Sequence, residues 1–402
     1  MMETRRHFLQ FCSAVSLAPG RSVAESVIQS VPVVNLPKSK PGKTVRLAGA
    51  FKEFEESYQL KCINVDDVDL SAHTGTKLEF SVSEKAGLDV CEETRLPGRG
   101  HDCVVSPNGQ WLVVFSRRPG DWFIAFNSNS DLKDVRIDAQ SGRHFYGHGR
   151  FSLDGRLFYA TENDYERANG TIGIYDVTNS FLRVGEFPSF GVGPHDLVIA
   201  HDGAHLVVAN GGIETHPDYG REKLNLATMR SSLSIVNLRS GDQSAQREIP
   251  ESLQRMSIRH IALSGSGDCY FAGQYQGALE DTPPLVGCLR NDGNFQLWDS
   301  PLANQLLNNY VTSISVDPYG TTVATTSAKG GAIVFWNASA GEIIAAHHLD
   351  DCSGVAANNN YFFVTASSGL HVFSTTGIHL SVLHRKSDTD GSWDNHIAIV
   401  GS

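Results

Sequence analysis

Basic residues are scarce in this 402-residue chain: 33 lysines and arginines stand against 44 acidic residues, for a net charge of −11. No Lys/Arg run or stripe interrupts that balance, so a phosphate backbone would be repelled and no nucleic-acid partner is expected. Long hydrophobic runs are missing too; with no stretch of about 18 apolar residues, no membrane span is expected. None of the 7 cysteines sits in a CxxC, which excludes a zinc ribbon or a thioredoxin-like motif, and so few in so long a chain make no disulfide scaffold. No GxSxG or comparable nucleophile motif appears. The chain does have 41% hydrophobic residues and 38 glycines, and the glycines fall at the ends of short apolar runs. That pattern belongs to a folded, strand-rich protein, and it excludes an all-helical one.

The N-terminus reads as an address. Residues 4–9 are TRRHFL, followed by a modestly apolar stretch (8–18), Pro19, Gly20 and the small residues Ser22, Val23 and Ala24. The order is similar to a twin-arginine export signal cut after Ala24, and an amphipathic helix is the plainer alternative. The expected organisation is a signal peptide over 1–24, a Pro-, Ser- and Lys-rich linker over 25–44, and one domain over 45–402, exported to the periplasm. That export route carries proteins already folded, often around a cofactor. Cys269 and Cys288 fall on neighbouring strands and are a candidate disulfide, although folding in a reducing cytoplasm favours free thiols.

One unit recurs. It consists of a polar or glycine-bearing turn, a histidine, a short apolar run, a turn ending in Gly, and a second apolar strand. The copies are GRGHDCVVSPNGQWLVVFS, YGHGRFSLDGRLFYATE, GPHDLVIAHDGAHLVVAN and IRHIALSGSGDCYFAG; VTSISVDPYGTTVATTS and CSGVAANNNYFFVTASS keep the turn and lose the histidine. Spacings of roughly 40 to 65 residues match four short strands per unit, the period of propeller blades. The C-terminal WDNHIAIVGS looks like a first strand with nothing after it, and residues 45–96 look like a blade without a first strand. The predicted fold is therefore all-β, a seven-bladed propeller closed by pairing of the C-terminal strand with the N-terminal blade, which leaves no open sheet edge. Six or eight blades, or a solenoid, are the alternatives.

In such a ring the first strand of each blade lines the axis, and its entry loop shares a face with the loop joining strands two and three. His101, His148, His195, His260 and His396 hold equivalent first-strand positions, with Asp102, Asp196 and Cys352 at or beside them. A histidine at a strand start commonly packs against the next blade. Five at one repeated position point instead to metal ligation, because Ser, Thr or Asn would serve packing equally well. The expected ion is a transition metal, iron or copper. The second-to-third-strand segments contribute Arg117, Arg118, Glu162, Asn163, Asp164, Tyr165, Asn210, Glu214, His216 and Arg221, and Tyr275 completes the set as substrate-binding or supporting residues.

The phrases RGHD, SRRPGD, YGHGRFS, YATENDYE, GVGPHD, ANGGIETHPDYGREKLNLATM and IRHIAL resemble those of an exported bacterial propeller family known as domain of unknown function 1513. The resemblance runs from about residue 46 to the end. GPHDLVIAHDGAHLVVAN also resembles the repeat of YVTN-type and lactonase-type propellers, more loosely. The family resemblance implies a role in iron or other metal handling beside imelysin-like periplasmic proteins, and it carries no catalytic mechanism. Three functions follow from the residues: a periplasmic propeller holding a metal for handling or redox chemistry; a metal-assisted hydrolase or lyase of a small anion, with Arg117, Arg118 and Arg221 as the clamp; or a non-catalytic interaction platform using the loop 211–231.

Overall fold

The computed structural model describes residues 45–53, 57–65, 88–118, 120–128, 133–359, 361–384 and 391–400, of which 88–92, 383 and 384 are described by their backbone alone. The expected signal peptide and linker lie outside the described residues, as do Cys12 and the side chain of Cys91.

Seven four-stranded antiparallel sheets make up the fold. Six are continuous in sequence: 100–138, 143–188, 194–248, 256–298, 313–348 and 355–384. The remaining blade is composite, its strands Val45–Lys52, Tyr58–Val65 and Leu88–Leu96 completed by Ser392–Ile399 from the C-terminus. This composite sheet is called blade 1 below and the others blades 2 to 7 in chain order. Each inner strand packs against the next in an unbroken circuit that returns to Ser392–Ile399. The predicted closure is thus observed, and it protects the inner edges of the sheets.

The hairpin between the first two strands explains the recurring glycine. Gly109, Gly155, Gly203, Gly267 and Gly320 all have φ between 63° and 88°, and each donates its N–H to the carbonyl three residues back at 2.8–3.0 Å. That left-handed conformation costs glycine little and other residues more.

Alternation along the strands fills the seams. In blade 2, Val113 and Phe115 pack toward blade 3 and Val114 toward blade 1. Seven apolar clusters result, one at each junction between adjacent blades. Cys269 and Cys288 follow the same rule. Cys269 pairs with Leu289 and Cys288 with Tyr270, so the two sulfurs face opposite seams, and both thiols are free and buried. The pleat, which alternates side chains across the sheet, is what separates them.

Candidate metal centre

The blade histidines lie inside their inner strands, at breaks in register. In blade 2 an extra residue is accommodated between Gly100 and Cys103. In blade 3 two are accommodated between Phe145 and Gly149, and in blade 4 one between Pro194 and Asp196. Blade 5 has one between Ile258 and His260, and in blade 1 the shift spans Trp393 to Ile397 opposite Gly49 and Phe51. The inner strands of blades 6 and 7, which have no histidine here, pair without a break. A bulge bends the strand and re-aims the side chain beside it, and here it accompanies every histidine of the set.

The five rings meet. His101 lies 5.0 Å from His148 and 4.8 Å from His396 between ring centroids. His148 is 4.9 Å from both His195 and His396, and His260 is 4.8 Å from His195 and 4.7 Å from His396. Gly147, at φ +100°, makes room for this cluster, since a Cβ there would stand 2.7 Å from His101 Cδ2. Candidate ligand atoms within 4.8 Å of one another form two triads that share His148: His101, His148 and His396, and His148, His195 and His260.

Aspartates hold the rings from behind. His148 Nδ1 lies 3.1 Å from Asp102 Oδ2, and His101 Nδ1 lies 3.3 Å from Asp394 Oδ1. Asp102 also accepts from the Cys103 N–H at 2.9 Å and from Arg150 at 3.1 Å. Asp196, fixed by the N–H groups of Leu197 and Ile261, pairs with the other arm of Arg150. Arg99 and Arg117 bind Asp394. Burial pushes both carboxyls up, but His148 and Arg150 around Asp102, and His101, Arg117 and Arg99 around Asp394, outweigh it and hold both well below the carboxylate range. As carboxylates they accept the Nδ1–H of His148 and His101, so Nε2 is the nitrogen each ring has left to offer a metal.

Four ring nitrogens of the set lack partners. His148 Nε2, His195 Nδ1, His260 Nδ1 and His396 Nε2 are buried and unbonded among the described residues. Burial, the first cause in each case, depresses the pKa of His101, His195, His260 and His396, and neighbouring rings depress it further. These four rings are therefore neutral near pH 7. Neutral imidazoles with converging lone pairs and carboxylates behind them are the donor set of a nitrogen-rich metal site.

The other sequence candidates take different places. Arg117 stands behind His101 through Asp394. Glu162, Asn163 and Asp164 belong to the second strand of blade 3, which runs on to Asp164, and not to the loop. Glu162 is directed into its own blade, binding Tyr175, Arg183 and Arg143. Asp164 pairs with Arg167. Asn163 donates to His144 Nε2 at 3.0 Å and to the Thr215 carbonyl, while Tyr165 lies between His144 and His216. Asn210 donates to the Ser189 carbonyl at the end of blade 3 and to Ser234 of blade 4, joining the two blades. His216 caps a short helical turn, the Glu214 N–H donates to Asn225, Arg221 is exposed, and Tyr275 donates to Asp281. Cys352 is fully buried among Phe335, Phe362 and Val364, where burial raises its pKa. Sequence reasoning missed Asp394, Arg150, His144 and Arg259. Asp394 had a signal in its place two residues before His396; Arg150 and Arg259 had only their closeness to a blade histidine.

A closed seven-bladed propeller with five histidines gathered on its axis is the class of protein this geometry defines. The chain belongs to the family described as protein of unknown function (DUF1513), which residues 94–400 match. It is similar in fold to a chain of Kuenenia stuttgartiensis hydrazine synthase, with 13% identity over 85% of this chain and 99% of that one and a TM-score of 0.55. A chain of the mitotic checkpoint complex is similar at 13% identity and a TM-score of 0.54, covering 72% of this chain and 80% of its own. Such identities show the fold alone. A search of curated proteins finds no match.

Proposed function

We propose that this propeller binds a single transition-metal ion on its axis and serves metal handling or redox chemistry in the periplasm. The observation that carries the reading is the set of four buried imidazole nitrogens without hydrogen-bond partners, in rings within about 5 Å of their neighbours. Leaving such groups empty is costly, and a metal satisfies them together. His148 spends Nδ1 on Asp102 and has only Nε2 to offer, so the two triads compete for it and one ion is the expected load. Nitrogen donors, with oxygens held behind them, favour copper or iron over magnesium or calcium.

Export rests on the TRRHFL sequence, and a partnership with imelysin-like metal-handling proteins rests on the family resemblance. The decisive test is titration of the metal-stripped protein with Cu(II) and, under reducing conditions, with Fe(II), with metal analysis after gel filtration. Wild type should retain one equivalent, and folded His148→Ala, which damages both triads, should retain none. Failure of folded wild type to retain either ion would end the reading.

A further inference from the structure

The five axial rings are not supported alike from behind. His148 Nδ1 lies 3.1 Å from Asp102 Oδ2, and His101 Nδ1 lies 3.3 Å from Asp394 Oδ1. His396 Nδ1 lies 3.4 Å from the hydroxyl of Ser313, in the inner strand of blade 6. His195 and His260 have no such contact among the described residues, and in both of them Nδ1 is itself the buried nitrogen without a partner.

This division separates the two triads. A metal-bound histidine characteristically gives its second ring nitrogen to a neighbouring polar group, which fixes the ring and its tautomer. His101, His148 and His396 meet that requirement: each spends Nδ1 on a side chain of another blade and keeps Nε2. Their centroids stand 4.8 to 5.0 Å apart on every side. In the other triad only His148 is anchored in this way.

His195 and His260 stand against the anchored triad. His195 is 4.9 Å from His148 between centroids, and His260 is 4.7 Å from His396 and 5.4 Å from His148. The two rings are 4.8 Å from one another. An ion held by three imidazoles keeps an open position, which takes water or an exogenous ligand. It would satisfy His148 Nε2 and His396 Nε2, while the buried Nδ1 atoms of His195 and His260 would still need a partner. A neutral imidazole carries its proton on either nitrogen, so an N–H is available at each Nδ1.

We propose that His101, His148 and His396 hold the ion, and that His195 and His260 bind a small anion seated at its open position by donating from Nδ1. This rests on the metal reading above and deepens it, because the ion and its anion together satisfy all four nitrogens. The ligand is a compact anion with one lone pair for the metal and others for the two N–H groups.

The test uses full-length protein loaded with Cu(II), with bound copper counted after gel filtration and azide titrated by its charge-transfer absorption. Wild type should retain one equivalent and bind azide. Folded His101→Ala and His396→Ala should lose the copper. Folded His195→Ala and His260→Ala should retain it and bind azide about tenfold more weakly or worse, the cost of a hydrogen bond to a charged group. Ser313→Ala removes only a hydroxyl and so serves even where a histidine variant misfolds; it should weaken copper binding about tenfold. Wild type that retains no copper ends the metal reading and this proposal with it. Three results leave the metal reading standing and overturn this one: copper lost from folded His195→Ala or His260→Ala as from His101→Ala, no azide band in copper-loaded wild type, or unchanged copper affinity in Ser313→Ala.

Discussion

Asp102 of blade 2 reaches across the seam to His148 of blade 3, its Oδ2 3.1 Å from the ring Nδ1. Asp394 of blade 1 does the same for His101 of blade 2, at 3.3 Å. Each aspartate therefore fixes a ring in the neighbouring blade, and the Asp394–His101 contact, 293 residues apart in sequence, forms only when the ring closes.

Asp102→Asn keeps an acceptor for the Cys103 N–H and loses the charge that fixes the His148 tautomer. Metal affinity should fall about 10- to 100-fold, the usual cost of losing a carboxylate behind a ligating histidine, with the fold retained. Competition titration against a chromophoric chelator measures this; unchanged affinity would show that Asp102 does not orient the ring.

Gly147→Ala places a methyl group against His101 at a φ of +100°. Strain of this kind costs about 1 to 3 kcal/mol, and the displaced ring should also weaken metal binding. Urea unfolding of the metal-free variant reads the first effect and metal titration the second.

Acid should destabilise the metal-free protein early. The folded-state pKa values of His101, His195, His260 and His396 lie below the ordinary 6.5, so below that pH the unfolded chain takes up protons that the folded chain refuses. Stability from these groups is complete above about pH 6.5 and declines as pH falls. Asp102 and Asp394, held low by their partners, add a further loss below the ordinary carboxylate range. Urea midpoints in chelator should drop steadily from pH 7.5 to pH 5; a flat profile would contradict the neutral, buried state assigned to the rings.

Cys269, Cys288 and Cys352 should resist alkylation by iodoacetamide in the native state and react once the chain is denatured without reductant. All three are buried, and burial raises their pKa values. Peptide mapping that finds Cys269 joined to Cys288 would overturn the assigned strand register.

Much of the site was legible before any coordinates. The histidine followed by Asp in RGHD and GPHD, the glycine turns and the complementary chain ends are local or periodic signals, and they pointed to the ring and its five imidazoles. Glu162 was misleading: a run of polar residues resembles a loop, but pairing with the third strand keeps it in the sheet and turns its carboxylate to Arg143 and Arg183. Cys352 misled for a similar reason, because sharing a repeat position with the histidines does not give it a bulge.

The sequence by itself determined the strand repeat and which residue types stand at the first-strand positions, because period, turn glycines and side-chain alternation are written locally, and the structure then fixed seven blades among the counts that period allows. Tertiary structure alone decided where register breaks, which aspartate meets which ring and which nitrogens lack partners. Those features depend on strands pairing across a closed circle, where each contact joins residues far apart in the chain and no local pattern records it.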